Sequence, residues 1–221
     1  MEHYIITRFN LKWRGDRFSD PVWIKERSDL MKNTLIKTLN NQSDKNFKLI
    51  LLIDRGTSRA AELSISKACK FPVIFKRCDS VRDLKRKDVF EDIAKEGDIL
   101  SRVDSDDIIS PKYIENIKSF FKNNIKKNIV FDYKHIGYLD VRSQESIKYR
   151  YSPTSMFISI LYYNNVNPYS FSHDLFRQNG FLAHKEDVLD CCCIVHGGNL
   201  ANNMRNKKGA VNAPEILGWI R

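Results

Sequence analysis

The chain has 221 residues and carries 37 Lys and Arg against 27 Asp and Glu, a formal charge of +10, with 42% hydrophobic and 29% charged residues. That apolar share excludes a disordered chain; Gly 9 and Pro 6 exclude a collagenous or low-complexity one, and no run reaches the ~18 apolar residues of a membrane span. At about 100–200 residues per domain, the length fits one large or two small domains with a sizeable core, and with no repeat, low-complexity tract or linker in the sequence one continuous domain over residues 1–221 is expected.

His3 to Phe9 is apolar enough for a buried strand and ends in Thr7-Arg8-Phe9-Asn10. From Pro21 to about Asn41 the residues Val22, Ile24, Leu30, Met31, Leu35, Ile36 and Leu39 mostly fall at helical spacing, with Asp20 and Pro21 as N-cap and first helical residue. Phe47 to Ile53 is a short apolar run closed by Asp54-Arg55-Gly56, a strand followed by a loop. Thr57 to Lys70 reads as a helix and Pro72 to Phe75 as a third strand. Ser80 to Glu96 reads as a charged helix stopped by Gly97. Asp98 to Val103 is a fourth strand, with Asp104-Ser105-Asp106-Asp107 at its end.

Ser110-Pro111 then caps a helix whose apolar residues Tyr113, Ile114, Ile117, Phe120, Phe121 and Ile125 form one face. Asn128 to Tyr133 reads as another strand. The stretch from His135 to Ile160 is β-rich, with Ile147, Tyr149 and Tyr151 alternating. Strand–helix alternation to about residue 127 predicts an α/β fold: a Rossmann-like, mostly parallel central sheet with helices on both faces. A nucleotide-binding half (about 1–127) would precede a β-rich acceptor half (about 128–221).

The five cysteines are odd in number, and three are consecutive at Cys191, Cys192 and Cys193. Neighbours in a strand point to opposite faces, and there is no Cys-x-x-Cys pair, so buried free thiols in a reducing compartment are expected. Met1 to Ile6 has no basic stretch followed by a long apolar run, so no signal peptide and a cytoplasmic location are expected. The charge of +10 admits nucleic acid, an anionic membrane face or a phosphorylated substrate as partners, beside plain solvated lysines.

Ligands of open α/β sheets bind at the carboxyl ends of the strands, where Thr7, Arg8, Asn10, Asp54, Lys76, Arg77 and the acid run from Asp104 all fall. Three carboxylates in four residues repel one another unless a positive group lies between them. Mg²⁺ or Mn²⁺ with hard oxygen ligands fills that need and bridges to a diphosphate. The same acids also suit a helix entry. Asp54 suits either an Asx-turn feeding Gly56 or an acceptor for a base or ribose. His196 stands before Gly197-Gly198, at a strand end, where it would meet metal or phosphate or simply fill a turn. Asn202 to Gly209 is a basic, Asn-rich loop.

These motifs resemble a bacterial rhamnosyltransferase family among the A-type nucleotide-sugar glycosyltransferases. The resemblance is carried by Thr7-Arg8-Phe9-Asn10, Asp54, Arg102 to Asp107, Asn167-Pro168-Tyr169 with Asp174 following, and Val195 to Asn199. It implies a nucleotide-sugar donor and a divalent metal, Mn²⁺ or Mg²⁺. Asp104 and Asp106 would take the Asp-x-Asp role, with metal on Asp106, ribose or metal near Asp104, and His196 as a further metal or diphosphate ligand. Thr7, Arg8, Asn10, Asp54, Arg102, Asp104 and Ser105 would line the donor pocket. The sugar implied is rhamnose, and the acceptor a glycan or lipid-linked glycan, with peripheral membrane contact admitted by the basic charge. Asp174 stands where the family usually has Glu, and the cysteine run where it has a Trp-rich strand. Asp174 is the expected base of an inverting transfer, with Glu186 and Asp187 as rivals.

Two other classes fit less well. A nucleotidyltransferase would want a Gly-rich, Lys-bearing phosphate loop after the first strand, and Arg8 to Trp13 holds no glycine. A basic nucleic-acid-binding domain would cluster its cations, whereas here they are dispersed among acids.

Overall fold

The computed structural model describes residues 1–11, 19–86, 88–150, 154–196 and 209–220. Two sheets organise them. The larger has seven strands in the order β10-β6-β9-β4-β1-β2-β3, formed by β1 (His3–Arg8), β2 (Lys48–Asp54), β3 (Val73–Cys78), β4 (Ile99–Arg102), β6 (Ile129–Tyr133), β9 (Ser159–Leu161) and β10 (Leu182–Glu186). Only β9 runs against its neighbours; every other pair is parallel. The second sheet has five strands in the order β12-β8-β7-β11-β5, from β5 (Ile108–Ile109), β7 (His135–Asp140), β8 (Glu145–Arg150), β11 (Cys191–Val195) and β12 (Val211–Asn212). The fold is α/β, as the alternation predicts; both sheets are mixed, and the second was not expected.

Leu49 to Ile53 in β2 are all fully buried because this interior strand, between β1 and β3, is covered on both faces. Its residues divide by the period of two. Leu49, Leu51 and Ile53 pack with Ile5 against Met31, Leu35, Leu39, Ile65, Ile117 and Phe121. Ile50 and Leu52 pack with Tyr4 and Ile6 against Leu84, Phe90, Tyr162, Tyr169 and Phe176. Each such side chain contributes about 1.5–3 kcal/mol by leaving water.

That division corrects the expectation of helices on both faces. All the α-helices among the described residues contribute their buried apolar side chains to the first face: α1 (Pro21–Met31) and α2 (Lys37–Asn40), joined by a π-helical stretch (Lys32–Ile36), then α3 (Arg59–Ala68) and α4 (Tyr113–Asn123). Turns and short 3₁₀ segments cover the other face. Ser80 to Glu96, expected as a helix, holds only a 3₁₀ turn over Asp83–Lys85 among its described residues. The Asp83 carboxylate accepts from the Asp79 and Ser80 amides at 2.7 and 3.1 Å, offering the backbone a local alternative to the helix. The Leu84 carbonyl accepts from Asn167 Nδ2 at 3.2 Å, and Leu84, Phe90 and Ala94 are buried against the sheet from this irregular backbone.

Helix ends follow local chemistry in one case and not in another. Asp20 Oδ1 accepts from the Val22 amide at 2.9 Å, with Pro21 at the first helical position, as expected. Ser110, expected as the cap of α4, donates to Asp190 and accepts from the Lys112 amide at 3.3 Å; the helix begins two residues beyond Pro111, and its N-cap residue Lys112 makes no side-chain cap. Ile125 lies past the end of α4 and is exposed.

In β11, Cys191 and Cys193 face the main core while Cys192 packs against Ile108, Ile216 and Trp219. All five cysteines are free, and burial pushes the thiols of Cys191 to Cys193 well up. Opposite Cys192, Gly137 admits this packing: a Cβ there would meet Ile216 Cδ1 at 2.7 Å and Cys192 Cβ at 2.9 Å. Among the described residues no helix is long and apolar enough to cross a membrane.

Candidate active site

β4 lies beside β1 in parallel register, Ile6 opposite Arg102. The Val103 amide still donates to the Ile6 carbonyl at 3.2 Å. Asp104 to Asp107 then form a turn closed by the Asp107 amide on the Asp104 carbonyl at 3.1 Å, and β5 follows. The acid run is therefore the corner at which the chain passes from one sheet to the other. α1 and the π-helical stretch lie over it, with Thr34 Oγ1 3.4 Å from the Ser105 carbonyl. β11 delivers His196 from the second sheet.

Each of the first two acids has its own cations. Arg8 Nη2 donates to Asp104 at 3.0 and 3.3 Å, and Arg102 Nη2 stands 3.8 Å from the other side of the same carboxylate. Arg27 holds Asp106 through both nitrogens, Nη2 to Oδ1 at 2.9 Å and Nη1 to Oδ2 at 3.0 Å, and its Nη2 also reaches Ser105 Oγ at 2.9 Å. Bidentate pairs of this kind are strong and directional. His196 Nε2 lies 3.2 Å from Asp106 Oδ2. The Tyr169 ring is a platform for two of the cations, 5.4 Å from the Arg8 guanidinium and 4.9 Å from that of Arg102. Its hydroxyl donates to the Ile6 carbonyl at 3.3 Å.

Protonation follows from this layout. Burial alone would raise the Asp104 carboxyl, but the guanidiniums of Arg8 and Arg102 outweigh it and hold it well below the usual carboxylate range. Asp106 is likewise held down against its burial, by His196 and Arg27. Asp107 goes the other way. It is buried, its neighbours Asp106 and Asp104 repel its charge, and its carboxyl is raised well above the usual value. It faces β11, accepting from the Ile194 amide at 3.2 Å. Burial pushes the Tyr169 phenol up to about 12.

The other expected donor residues lie along the same rim. Thr7 is fully buried, and its hydroxyl has no hydrogen-bond partner among the described residues. Asn10 donates to Thr57 Oγ1 at 2.9 Å and accepts from the Asp54 amide at 3.1 Å. Asp54 Oδ1 accepts from the Gly56 amide at 2.8 Å, the Asx-turn reading. Arg77 of β3 braces that turn by donating to the Arg55 and Thr57 carbonyls at 2.6 and 3.2 Å.

The expected bases are placed less fully. Asp174 belongs to a 3₁₀ turn, His173–Leu175, but its side chain lies outside the described residues, as do Tyr151, Gly197 to Asn199 and the loop from Asn202 to Lys208. Glu186 ends β10, three strands from β4 and so roughly 14 Å away by strand spacing. Its carboxylate pairs with His184, and Asp187 pairs with Lys134 and His135.

Sequence patterns single out two residues of the site poorly. Tyr169 stands out only as part of the Asn-Pro-Tyr match. Arg27 sits four residues before Met31 and seven before Thr34, on the buried face of the helix, so a lone arginine in an apolar stripe is the available signal.

The residues present fit a divalent cation that brings ligands of its own. Asp106 and His196 supply one hard oxygen and one imidazole nitrogen, and no group of three or more His, Cys, Asp and Glu side chains converges among the described residues. Mg²⁺ and Mn²⁺ commonly complete such sparse sites with phosphate oxygens and water.

The fold that carries this corner is shared with proteins of known structure. The crystal structure of Staphylococcus aureus TarS 1-349 in complex with UDP-GlcNAc superposes with a TM-score of 0.52 at 13% identity, covering 90% of this chain and 60% of that one. TarS 1-349 without that ligand gives a TM-score of 0.52 over 88% of this chain. At that identity the likeness is one of fold, the A-type glycosyltransferase fold, and the chain spans about 60% of the length of the TarS fragment. No curated protein sequence matches. A family profile described as "Putative rhamnosyl transferase" matches residues 10–208. The chain belongs to this family, and with it to the glycosyltransferases.

Proposed function

We propose that the protein moves a sugar from a nucleoside diphosphate donor to a hydroxyl of a glycan acceptor, with inversion at the anomeric carbon. The observation that carries this reading is the pair Asp104 and Asp106 at the end of β4, each held by guanidinium, with His196 on Asp106. Arg8, Arg27 and Arg102 would neutralise the diphosphate as it leaves. Thr7, Asn10, Asp54, Arg102, Asp104 and Ser105 would hold the nucleoside. Asp106 and His196 would hold Mn²⁺ or Mg²⁺, which, when bound, supplies charge stabilisation for the departing diphosphate.

The acceptor oxygen forms its bond to the anomeric carbon as the bond from that carbon to the diphosphate breaks. The acceptor proton passes to a carboxylate, assigned here to Asp174. The family description favours rhamnose as the sugar; the UDP-GlcNAc bound to TarS makes uridine diphosphate a sensible first probe.

Thermal melts with UDP or dTDP, each with and without Mn²⁺, test the reading. Stabilisation that is larger with nucleotide and metal together than with either alone is expected. Indifference to every nucleotide, metal present or absent, would overturn it. Asp174→Asn should abolish turnover while leaving nucleotide stabilisation intact; undiminished turnover removes Asp174 from the mechanism.

A further inference from the structure

We infer that Arg27 is a built-in competitor for the divalent cation: it holds Asp106 until a diphosphate arrives, so that metal and nucleotide bind as a coupled pair. The inference rests on the proposed function and concerns the same site. Three contacts carry it. Both Asp106 oxygens are engaged by Arg27, and a third bond ties Arg27 to Ser105 Oγ. His196 shares Oδ2 with Arg27 Nη1, so the oxygen best placed for a metal also lies against a guanidinium.

A cation approaching alone meets an obstacle. To reach Asp106 it must displace Arg27, leaving a half-buried guanidinium unpaired, which is costly. Arg8 and Arg102 already hold Asp104, and Asp107 is buried against β11 with its Oδ1 accepting from the Ile194 amide at 3.2 Å, so among the described residues neither neighbouring acid is placed to replace Asp106. A diphosphate removes the obstacle. Its oxygens offer Arg27 a planar anionic partner and offer the metal its missing ligands. Arg27 Nε, buried and without a hydrogen-bond partner among the described residues, is a donor left over for that anion. Arg102 Nε is left over in the same way. Reciprocity then requires that nucleotide and metal each tighten the other's binding.

The test is calorimetric titration of the full chain with Mn²⁺ alone and with Mn²⁺ in saturating UDP. In the wild type, UDP should tighten Mn²⁺ by about tenfold or more. In Arg27→Gln, Mn²⁺ alone should bind about tenfold tighter than to wild type, and the effect of UDP should shrink to a few-fold. Arg27→Lys, which keeps the charge but loses the two-pronged grip, should fall between. The double variant Arg27→Gln with Asp106→Asn should lose the gained Mn²⁺ affinity. If Arg27→Gln does not keep the wild-type circular dichroism spectrum, Arg27→Lys carries the same ordering. Mn²⁺ binding no tighter in either single variant, or an undiminished UDP effect, overturns the inference. Wild-type protein that binds no Mn²⁺ even with UDP overturns the metal reading itself, a distinct result seen without any variant.

Discussion

The two strands flanking β1 both end in an acidic turn, and the two turns spend their carboxylates differently. After β2, Asp54 turns back on its own chain and accepts from the Gly56 amide at 2.8 Å. After β4, Asp104 and Asp106 face outward from the backbone to three arginines drawn from three elements, Arg8, Arg27 and Arg102. An acid spent on a local amide shapes a turn. An acid matched by half-buried guanidiniums, two of them (Arg8 and Arg27) from distant parts of the chain, stores charge that a ligand can rearrange.

Asp106→Asn should break that contrast most severely. It leaves Arg27 without its carboxylate and removes the proposed metal handle, so turnover should fall at least about a hundredfold. Stability should drop by about 2–3 kcal/mol, less than for a fully buried pair because Arg27 and Asp106 keep side-chain exposures of 21% and 13%. Turnover assays and urea unfolding check both. Wild-type turnover would end the view of Asp106 as part of the machinery.

Acid should reveal the stored charge next. The stabilisation from Asp104 and Asp106, both held down in the fold, is complete above the ordinary carboxylate value of 3.8 and is lost as pH falls through the lowered folded values. A separate decline precedes it. Burial lowers the His3 imidazole from 6.5 to about 3, so the unfolded chain takes up a proton that the fold refuses, and stability drains as pH falls across that window. Melting temperatures recorded from pH 6.5 down to about 4 should fall in the wild type and stay flatter in His3→Gln. Gln is able to keep the bond to Ser101, which His3 Nε2 makes at 2.7 Å. Equal slopes would remove His3 as the cause.

Asp54→Asn should be the mildest change. The amide oxygen of Asn can accept from Gly56 as the carboxylate does, so stability should stay within about 0.5 kcal/mol. A neutral amide accepts more weakly than a carboxylate from the ribose or base, so the KM for the nucleotide sugar should rise by about fivefold at unchanged turnover. An unchanged KM would confine Asp54 to the turn.

Much of this arrangement is legible along the chain. Apolar runs such as Leu49 to Ile53 mark the strands, the Asp20-Pro21 pair marks the start of α1, and acids clustered after a strand mark the site, because each signal lies within a few residues. The segment from Ser80 to Glu96 misleads for the opposite reason. Its apolar residues suit a helix, yet its Leu84 carbonyl is claimed by Asn167, 83 residues away. Ser110 is legible only in part: its oxygen accepts from the Lys112 amide at the entry of α4, while its proton goes to Asp190, 80 residues away.

The sequence alone therefore determined where the first four strands, the helices from Pro21, Arg59 and Tyr113 and the acidic corner fall, since hydrophobic period and turn chemistry act locally; it did not mark β5, β10 or β12. Tertiary structure alone decided that the helices cover one face, that Arg27 grips Asp106, and that the Tyr169 ring lies against Arg8 and Arg102. Charge pairing and aromatic stacking operate across space, and which partners meet depends on the order of strands in the sheet, a property of the folded whole.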